Sequence, residues 1–381
     1  MGNNVGVKSN SYLKYEPDYA VPPGETLLET IEHLGMTQAE LAERTGRPKK
    51  TINEIIKGKA AITPETARQL ERVLGVPASF WNNLERNYRE KLAEIEERER
   101  LKLQGEWLKE IPVNTMVKYG WVKRFSGKIE QLQEVLNFFS VASVEAWREV
   151  WKKILGSTQM TFRHSLAFKS EPGAVAAWIR KGQIESQKIE CKPFKASNFV
   201  KALEKIRALT NEPPEVFVLD IVKICADAGV AVVFVPELPK SRVSGSAYWL
   251  NSEKAVIQLS LRYRTDDHLW FTFFHEAGHI LQNQKREIFL EYTCLRATHR
   301  QNGWDDEDDE KQANKYASEA LIPQLLYKDF IKRGTFNSRT IEGFARNLGI
   351  APGIVVGRLQ HDKVIPFATN LNKLKKHFKW S

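Results

Sequence analysis

Sulfur is scarce in this chain: three cysteines and four methionines are spread over 381 residues. Cys191, Cys225 and Cys294 are too few and too far apart for a disulfide framework or a four-cysteine zinc site. They are expected to be reduced thiols. Long apolar runs are missing as well. No stretch reaches the roughly 20 residues a membrane-spanning helix requires, and the opening MGNNVGVKSNSY lacks the apolar core of a secretion signal. A cytoplasmic protein with no membrane partner is therefore expected. Acidic residues are outnumbered, 47 against 57 lysines and arginines, giving a net charge of +10. Such a balance permits contact with a polyanion but does not establish it. With 42% hydrophobic residues, the chain has the composition of a folded protein, and its length suggests two or three domains.

Residues 24–75 contain an element that could use that positive charge. Pro23 and Gly24 open a helix from about Glu25 to Leu34, with Leu27, Leu28 and Ile31 on one face and Gly35 at its end. Thr37 and Glu40 form a capping box for a short second helix, and Gly46 supplies a tight turn. The next helix, Pro48 to Ile56, places Ile52, Ile55 and Ile56 inward and turns Lys49, Lys50, Thr51 and Asn53 outward. A second capping box, Thr63-Pro64-Glu65-Thr66, starts a fourth helix whose Ala67, Leu70, Val73 and Leu74 complete the core. Two short helices joined by a glycine turn, the second with a polar and basic outer face, suit the major groove of DNA. Lys49, Lys50 and Lys57 are placed to meet phosphates, and Gln38, Thr51 and Asn53 have the donors and acceptors to read base edges.

The stretch from about 21 to 90 resembles the lambda-repressor-like, XRE/Cro-C1 type domain of HigA-type antitoxins. The resemblance rests on Pro23-Gly24-Glu25, Gly35-Met36-Thr37-Gln38, Leu41-Ala42, Ile55-Ile56-Lys57-Gly58-Lys59, Leu74-Gly75-Val76 and Phe80-Trp81. It implies a homodimer on a palindromic, double-stranded operator, and a toxin as a partner. From Tyr88 to Leu103 the run YREKLAEIEERERLKL reads as one exposed helix. Residues 105–214 then contain amphipathic helices broken near Gly120, Gly127, Gly156 and Pro172-Gly173. Their tryptophans, Trp107, Trp121, Trp147, Trp151 and Trp178, are expected to pack in a core.

The chain changes character after about Glu215. Val216 to Ala228 looks helical, Ala231 to Val235 is an apolar strand, and 244–250 with 255–259 reads as a strand pair around an Asn-Ser-Glu-Lys turn. A helix then runs from Thr265-Asp266-Asp267 to about Gln282 and contains His275-Glu276-Ala277-Gly278-His279. This is an HExxH pattern. Four residues make about one helical turn, so both imidazoles share a face and can hold one zinc ion, with Glu276 beside it as general base. Gly278 is expected to clear space beside the metal, and the surrounding aromatic residues to keep the site dry. A catalytic zinc needs a third protein ligand. The helical run Asp306 to Leu321 offers Glu310, with Asn314 four residues on to orient one ligand imidazole, and with Ala313 and Ala317 small enough for close helix packing. Glu307, Asp309 and Glu319 are rivals for the third position, and such an acidic run also suits an ordinary helix start.

The segments Phe274-His275-Glu276-Ala277-Gly278-His279-Ile280-Leu281, Glu310-Lys311-Gln312-Ala313-Asn314-Lys315-Tyr316-Ala317 and Leu321-Ile322-Pro323 resemble the ImmA/IrrE metallopeptidases. The likeness favours Glu310 as the third ligand. It implies a gluzincin-like zinc endopeptidase that cleaves a regulatory protein, with Glu276 as the catalytic base. Tyr292, His299 and Tyr316 are candidates for the oxyanion donor, and the strand at 245–249 is a candidate for edge pairing with a peptide. Residues 339–345 and 350–361 form a further helix pair expected to pack on the peptidase, leaving His361 and His377 at the surface. The expected fold class is α+β and predominantly helical, with a small sheet in the peptidase half. The expected divisions are a tail at 1–23, a DNA-binding domain at 24–87, a connector at 88–104, a helical middle domain at 105–214 and a peptidase domain at 215–381.

Overall fold

In the computed structural model the described residues are 19–151, 171–282 and 306–380, with side chains described from 309 onward in the last stretch. The chain forms two compact units whose boundary in sequence falls between Gly105 and Glu106. No described helix is long and apolar enough to cross a membrane.

The N-terminal unit is helical: α1 (Pro23–His33), α2 (Gln38–Thr45), α3 (Lys49–Ile56), α4 (Pro64–Leu74) and α5 (Ala78–Gln104). Local chemistry sets most of these ends. The Thr37 hydroxyl accepts from the Glu40 amide at 3.2 Å while the Glu40 carboxylate accepts from the Thr37 amide at 2.9 Å, which is the expected capping box. Gly46 ends α2 at φ +67°, a left-handed conformation that glycine takes without a Cβ penalty. The start of α4 departs from expectation. Thr63 accepts from the Thr66 amide at 3.2 Å, but Thr66 turns its hydroxyl to that of Thr63, 2.9 Å away, and the box is only half made.

Leu27, Ile31, Leu41, Ile52, Ile55, Leu70 and Trp81 form the core of this unit, with Leu28, Ile56, Val73 and Leu74 partly buried against it. Burial of each such aliphatic side chain contributes roughly 1.5–3 kcal/mol, more than helix propensity supplies. Gly24 owes its identity to packing. A Cβ there would lie 2.1 Å from the Ile55 carbonyl oxygen, so α1 and α3 touch backbone to backbone. Helix α5 is held by Glu85, whose carboxylate accepts from the Ile62 amide at 3.0 Å and from Arg89 Nε at 2.7 Å. The expected boundary at 87/88 falls inside this unbroken helix.

The C-terminal unit contains α6 (Val113–Lys118), α7 (Lys128–Phe139), α8 (Pro172–Gln187), α9 (Ala196–Ala208) and α10 (Pro214–Asp227), with a further helical stretch at 144–151. The strands follow, β1 (Val230–Phe234), β2 (Gly245–Asn251) and β3 (Lys254–Leu259). Then come α11 (Asp266–Gln282), α12 (Asp306–Leu321), α13 (Gln324–Lys332), α14 (Ser338–Leu348) and α15 (Pro352–His361). The sheet order is β1-β3-β2, with β1 parallel and β2 antiparallel to β3. β2 is therefore an edge strand.

Four of the five tryptophans pack as expected, and Trp121 is half-buried. Trp107, Trp147 and Trp151 meet Phe139 edge-on at 5.4–6.2 Å, and Trp178 donates to the Val235 carbonyl at 3.0 Å. One core joins Phe199, Leu203 and Ile206 of α9 to Phe217 of α10, Trp270 and Phe273 of α11, and Ile341 and Val355 of the last helix pair. The expected division at 214/215 runs through that core. His361 and His377 are exposed, as anticipated.

Candidate functional sites: a basic helix face and a metal centre

The face of α3 presents Lys49, Lys50 and Lys57 to solvent, with Thr51 and Asn53 half-buried. Asn53 Nδ2 donates to Gln38 Oε1 at 3.3 Å, which ties the first residue of α2 to the middle of α3. Two side chains read from the sequence as separate base readers thus form one polar unit. Arg47 fixes the turn between the helices, with Nε on Gln69 Oε1 at 2.7 Å and a guanidinium nitrogen 3.0 Å from Glu65. Lys50 lies 3.8 Å from Glu54, an exposed pair that a phosphate could replace at small cost.

In the C-terminal unit, α11 and α12 bring His275, His279 and Glu310 together. The two Nε2 atoms are 3.1 Å apart, His275 Nε2 is 3.4 Å from Glu310 Oε2, and His279 Nε2 is 3.6 Å from Glu310 Oε1. Four ligands at zinc's usual bond lengths sit about 3.3 Å from one another, so this triangle has the dimensions of three corners of a tetrahedron. The proton placement on His275 fits too. Asn314 Oδ1 lies 3.1 Å from His275 Nδ1, which places the imidazole proton there and leaves the Nε2 lone pair facing the triangle. Burial opposes charge on His275, yet the hydrogen bond and charge of Glu310 and the charge of Glu276 outweigh it, and its pKa rises. Burial, then the neighbouring His275, pushes His279 down to about 3. Among the described residues this is the group of histidine, cysteine and acidic side chains that could hold a metal ion.

Two rivals of Glu310 stand outside the group. Glu319 accepts from the Gln324 amide at 3.2 Å and caps the next helix. Neither Asp309 nor Glu319 belongs to the metal-sized group, and the Glu307 side chain lies outside the described set. Glu276 is fully buried, and Gly245, the first residue of edge strand β2, lies against it. A Cβ at Gly245 would stand 3.0 Å from Glu276 Oε1 and 2.5 Å from the Thr272 methyl. Gly278 serves a different purpose from the one expected. Its missing Cβ would meet the Ala313 Cα at 3.2 Å and the Tyr316 ring at 3.3 Å, so it permits the α11–α12 contact rather than clearing space at the metal. Ala313 and Ala317 are fully buried, as close packing of α12 requires.

Distant groups hold both helices. Arg207 of α9 donates to the carbonyls of Ala320 and Leu321 at the end of α12 and of Leu348 at the end of α14, at 2.7–3.0 Å. A cation there satisfies the orphan carbonyls of two helix ends. The start of α11 is strapped by the C-terminal segment, through the Asp266 amide to the Lys376 carbonyl at 3.0 Å and Lys375 Nζ to Asp267 at 2.7 Å.

Residues 27–81 match the family model described as Helix-turn-helix. The chain is 34% identical over 74 residues to an uncharacterized HTH-type transcriptional regulator, YddM, of Escherichia coli K12, covering 77% of that protein and 19% of this chain. It is 36% identical over 76 residues to virulence-associated protein I of Dichelobacter nodosus, covering 70% of that protein and 20% of this chain. The N-terminal domain belongs to the helix-turn-helix family. A solved structure of an addiction module antidote protein of a HigA family from Coxiella burnetii is 30% identical, with a TM-score of 0.21, over 22% of this chain and 91% of that one.

The family match ends at residue 81, well before the candidate metal site, and the relatives and the solved structure each cover 19–22% of this chain. Two of the candidate oxyanion donors, Tyr292 and His299, lie outside the described residues, as does Cys294. Tyr316 packs its ring on Gly278, and burial raises its pKa to about 12. Sequence reasoning missed Arg207 and Lys375. Arg207 and Lys375 could be found only from their partners in space, more than 100 positions away. Phe271, one of the aromatic residues expected around the two histidines, stacks its ring 6.2 Å from the His275 imidazole.

Proposed function

We propose that this chain is an operator-binding transcriptional regulator whose C-terminal unit is a zinc metallo-endopeptidase. Its substrate is a regulatory protein: a repressor, a partner or the chain itself. The observation that supports the enzymatic half is the metal-sized triangle of His275, His279 and Glu310 with a buried carboxylate, Glu276, one residue along the same helix. A zinc ion bound there would supply Lewis acidity and an acidified water. Glu276 would take a proton from the attacking water and return it to the leaving amine. Asn314 would hold the His275 ring in place. β2, with Gly245 against Glu276, would offer its edge to an extended peptide. In the other half, Lys49, Lys50 and Lys57 would contact phosphates while Gln38, Thr51 and Asn53 face base edges, in a homodimer on a palindromic site.

A second reading follows from the HigA-like residues of the N-terminal domain. In it the C-terminal unit binds a toxin without cutting it. One experiment separates the two. The full chain is loaded with zinc, metal content is measured by mass spectrometry, and the protein is incubated with the product of the adjoining reading frame and by itself. One zinc per chain is expected, with cleavage that Glu276→Gln abolishes while zinc stays bound. Undiminished cleavage by the Gln variant removes Glu276 as the base, and a stable complex with no cleavage product favours the antitoxin.

A further inference from the structure

A second feature lies on the metal-binding face of α11, one turn toward its N-terminus. Phe271, Ser318, Leu321, Ile322, Ile354 and Gly357 line a cavity of about 110 Å³, with Asp267, His268, Arg358 and the exposed His361 at its polar side. α12 runs antiparallel to α11 here: Glu310 faces His275 and His279, Asn314 faces His275, and Ser318 and Leu321 line the cavity with Phe271. The rise from His275 back to Phe271 is about 6 Å. At about 100° per residue, Phe271 lies roughly 40° to one side of His275 around α11, and Thr272 and Glu276, which touch edge strand β2, lie roughly 60–100° to the other. The metal ligands therefore stand between the cavity and the strand edge.

Size and charge narrow what the cavity can take. Sites for whole small molecules occupy roughly 300–1,000 Å³, whereas an apolar cavity of about 150 Å³ takes one benzene. This cavity has room for a single side chain. Of its charged neighbours, Arg358 Nε holds Asp362 at 2.7 Å and Asp267 Oδ2 holds Lys375 at 2.7 Å. With those charges paired and the rest of the wall mainly apolar, a neutral apolar occupant suits the cavity better than a charged one.

We propose that this cavity is the specificity pocket of the peptidase and receives a leucine-, isoleucine- or phenylalanine-sized side chain of the polypeptide beside the scissile bond. The assignment rests on the peptidase reading, and its test keeps the two apart. Binding of N-acetyl-leucine methylamide, N-acetyl-phenylalanine methylamide and the glycine analogue to the full-length, zinc-loaded chain is followed by ligand-observed NMR. The same protein is profiled on a peptide library. The wild type should bind the leucine and phenylalanine probes over the glycine one and prefer large apolar residues at one position flanking the cut. Ser318→Phe fills the cavity and should lower both preferences about tenfold with zinc content unchanged. Phe271→Ala, a change in the opposite direction, should shift the preference toward tryptophan. Cleavage with no side-chain preference, or a preference that survives Ser318→Phe, overturns the pocket and leaves the peptidase standing. Side-chain-selective binding with no cleavage of any peptide overturns the peptidase reading and the pocket's assignment to substrate together.

Discussion

The helix-turn-helix domain takes its geometry from neighbours in sequence, while the unit with the candidate metal site takes its geometry from residues far apart. In the former, the Thr37–Glu40 box closes over three residues, Asn53 reaches Gln38 across 15, and Glu85 reaches Ile62 across 23. In the latter, Gln258 donates to the Trp178 carbonyl across 80 positions, Lys375 reaches Asp267 across 108, and Arg207 reaches Leu348 across 141. A reading surface needs only a few side chains on one short helix. A metal centre needs donors fixed to within a fraction of an ångström, and that rigidity comes from the surrounding fold.

The largest expected effect tests whether the N-terminal domain is as self-contained as this contrast implies. Gly24→Leu drives a side chain into the Ile55–Ile56 backbone, where even a Cβ would stand 2.1 Å from an oxygen. A loss of at least about 3 kcal/mol is expected, enough to unfold a marginal domain. Operator binding should vanish while the chain still binds one zinc. Retained operator affinity would show that α1 can move away from α3 without consequence.

A smaller effect is expected at the reading face itself. Replacing Lys49, Lys50 and Lys57 with alanine removes three exposed cations and no core contact. If each meets a phosphate, the slope of log affinity against log salt should become shallower by about 0.9 per lysine, up to about 2.7 in all. An unaltered slope would take α3 out of the interface.

The same contrast decides what could be read from residues alone. Caps, the HExxH turn and the Glu310–Asn314 spacing are short-range patterns, legible because helical periodicity fixes a face within one or two turns; the Thr37–Glu40 box forms, the Thr63–Thr66 box forms only in half, and His275, His279 and Glu310 lie together. Gly24 was legible as a helix start but not as a contact with α3. Gly278 was assigned to the metal, whereas its space is occupied by Ala313 and Tyr316 of another helix. The division at 214/215 followed a change in local composition, and composition carries no trace of Phe199 packing with Phe217 in one core.

The smallest effect concerns how the fold holds the N-terminus of α11. Asp266 is fully buried there, its Oδ1 accepting from the Asp267 amide at 2.9 Å, and a Cβ on Gly353 of α15 would stand 2.3 Å from that oxygen. Burial, with a further push from the Asp267 charge, raises its pKa from 3.8 to about 6, despite hydrogen bonds to backbone that favour the ionised form. A carboxyl whose folded-state pKa is raised binds its proton more tightly in the native state than in the unfolded one. The proton's stabilising contribution is thus complete below about pH 4 and is lost as pH rises through about 6. Above that, the native state holds a buried carboxylate at a cost of about 1–3 kcal/mol. Asp266→Asn keeps the shape and an oxygen for the Asp267 amide, and removes the charge. Its Tm should exceed that of the wild type by several degrees at pH 8, and the difference should shrink toward pH 5. A Tm difference constant across that range would mean that Asp266 is ionised at little cost, and that the strap from Lys375 and Lys376 already neutralises the start of the helix.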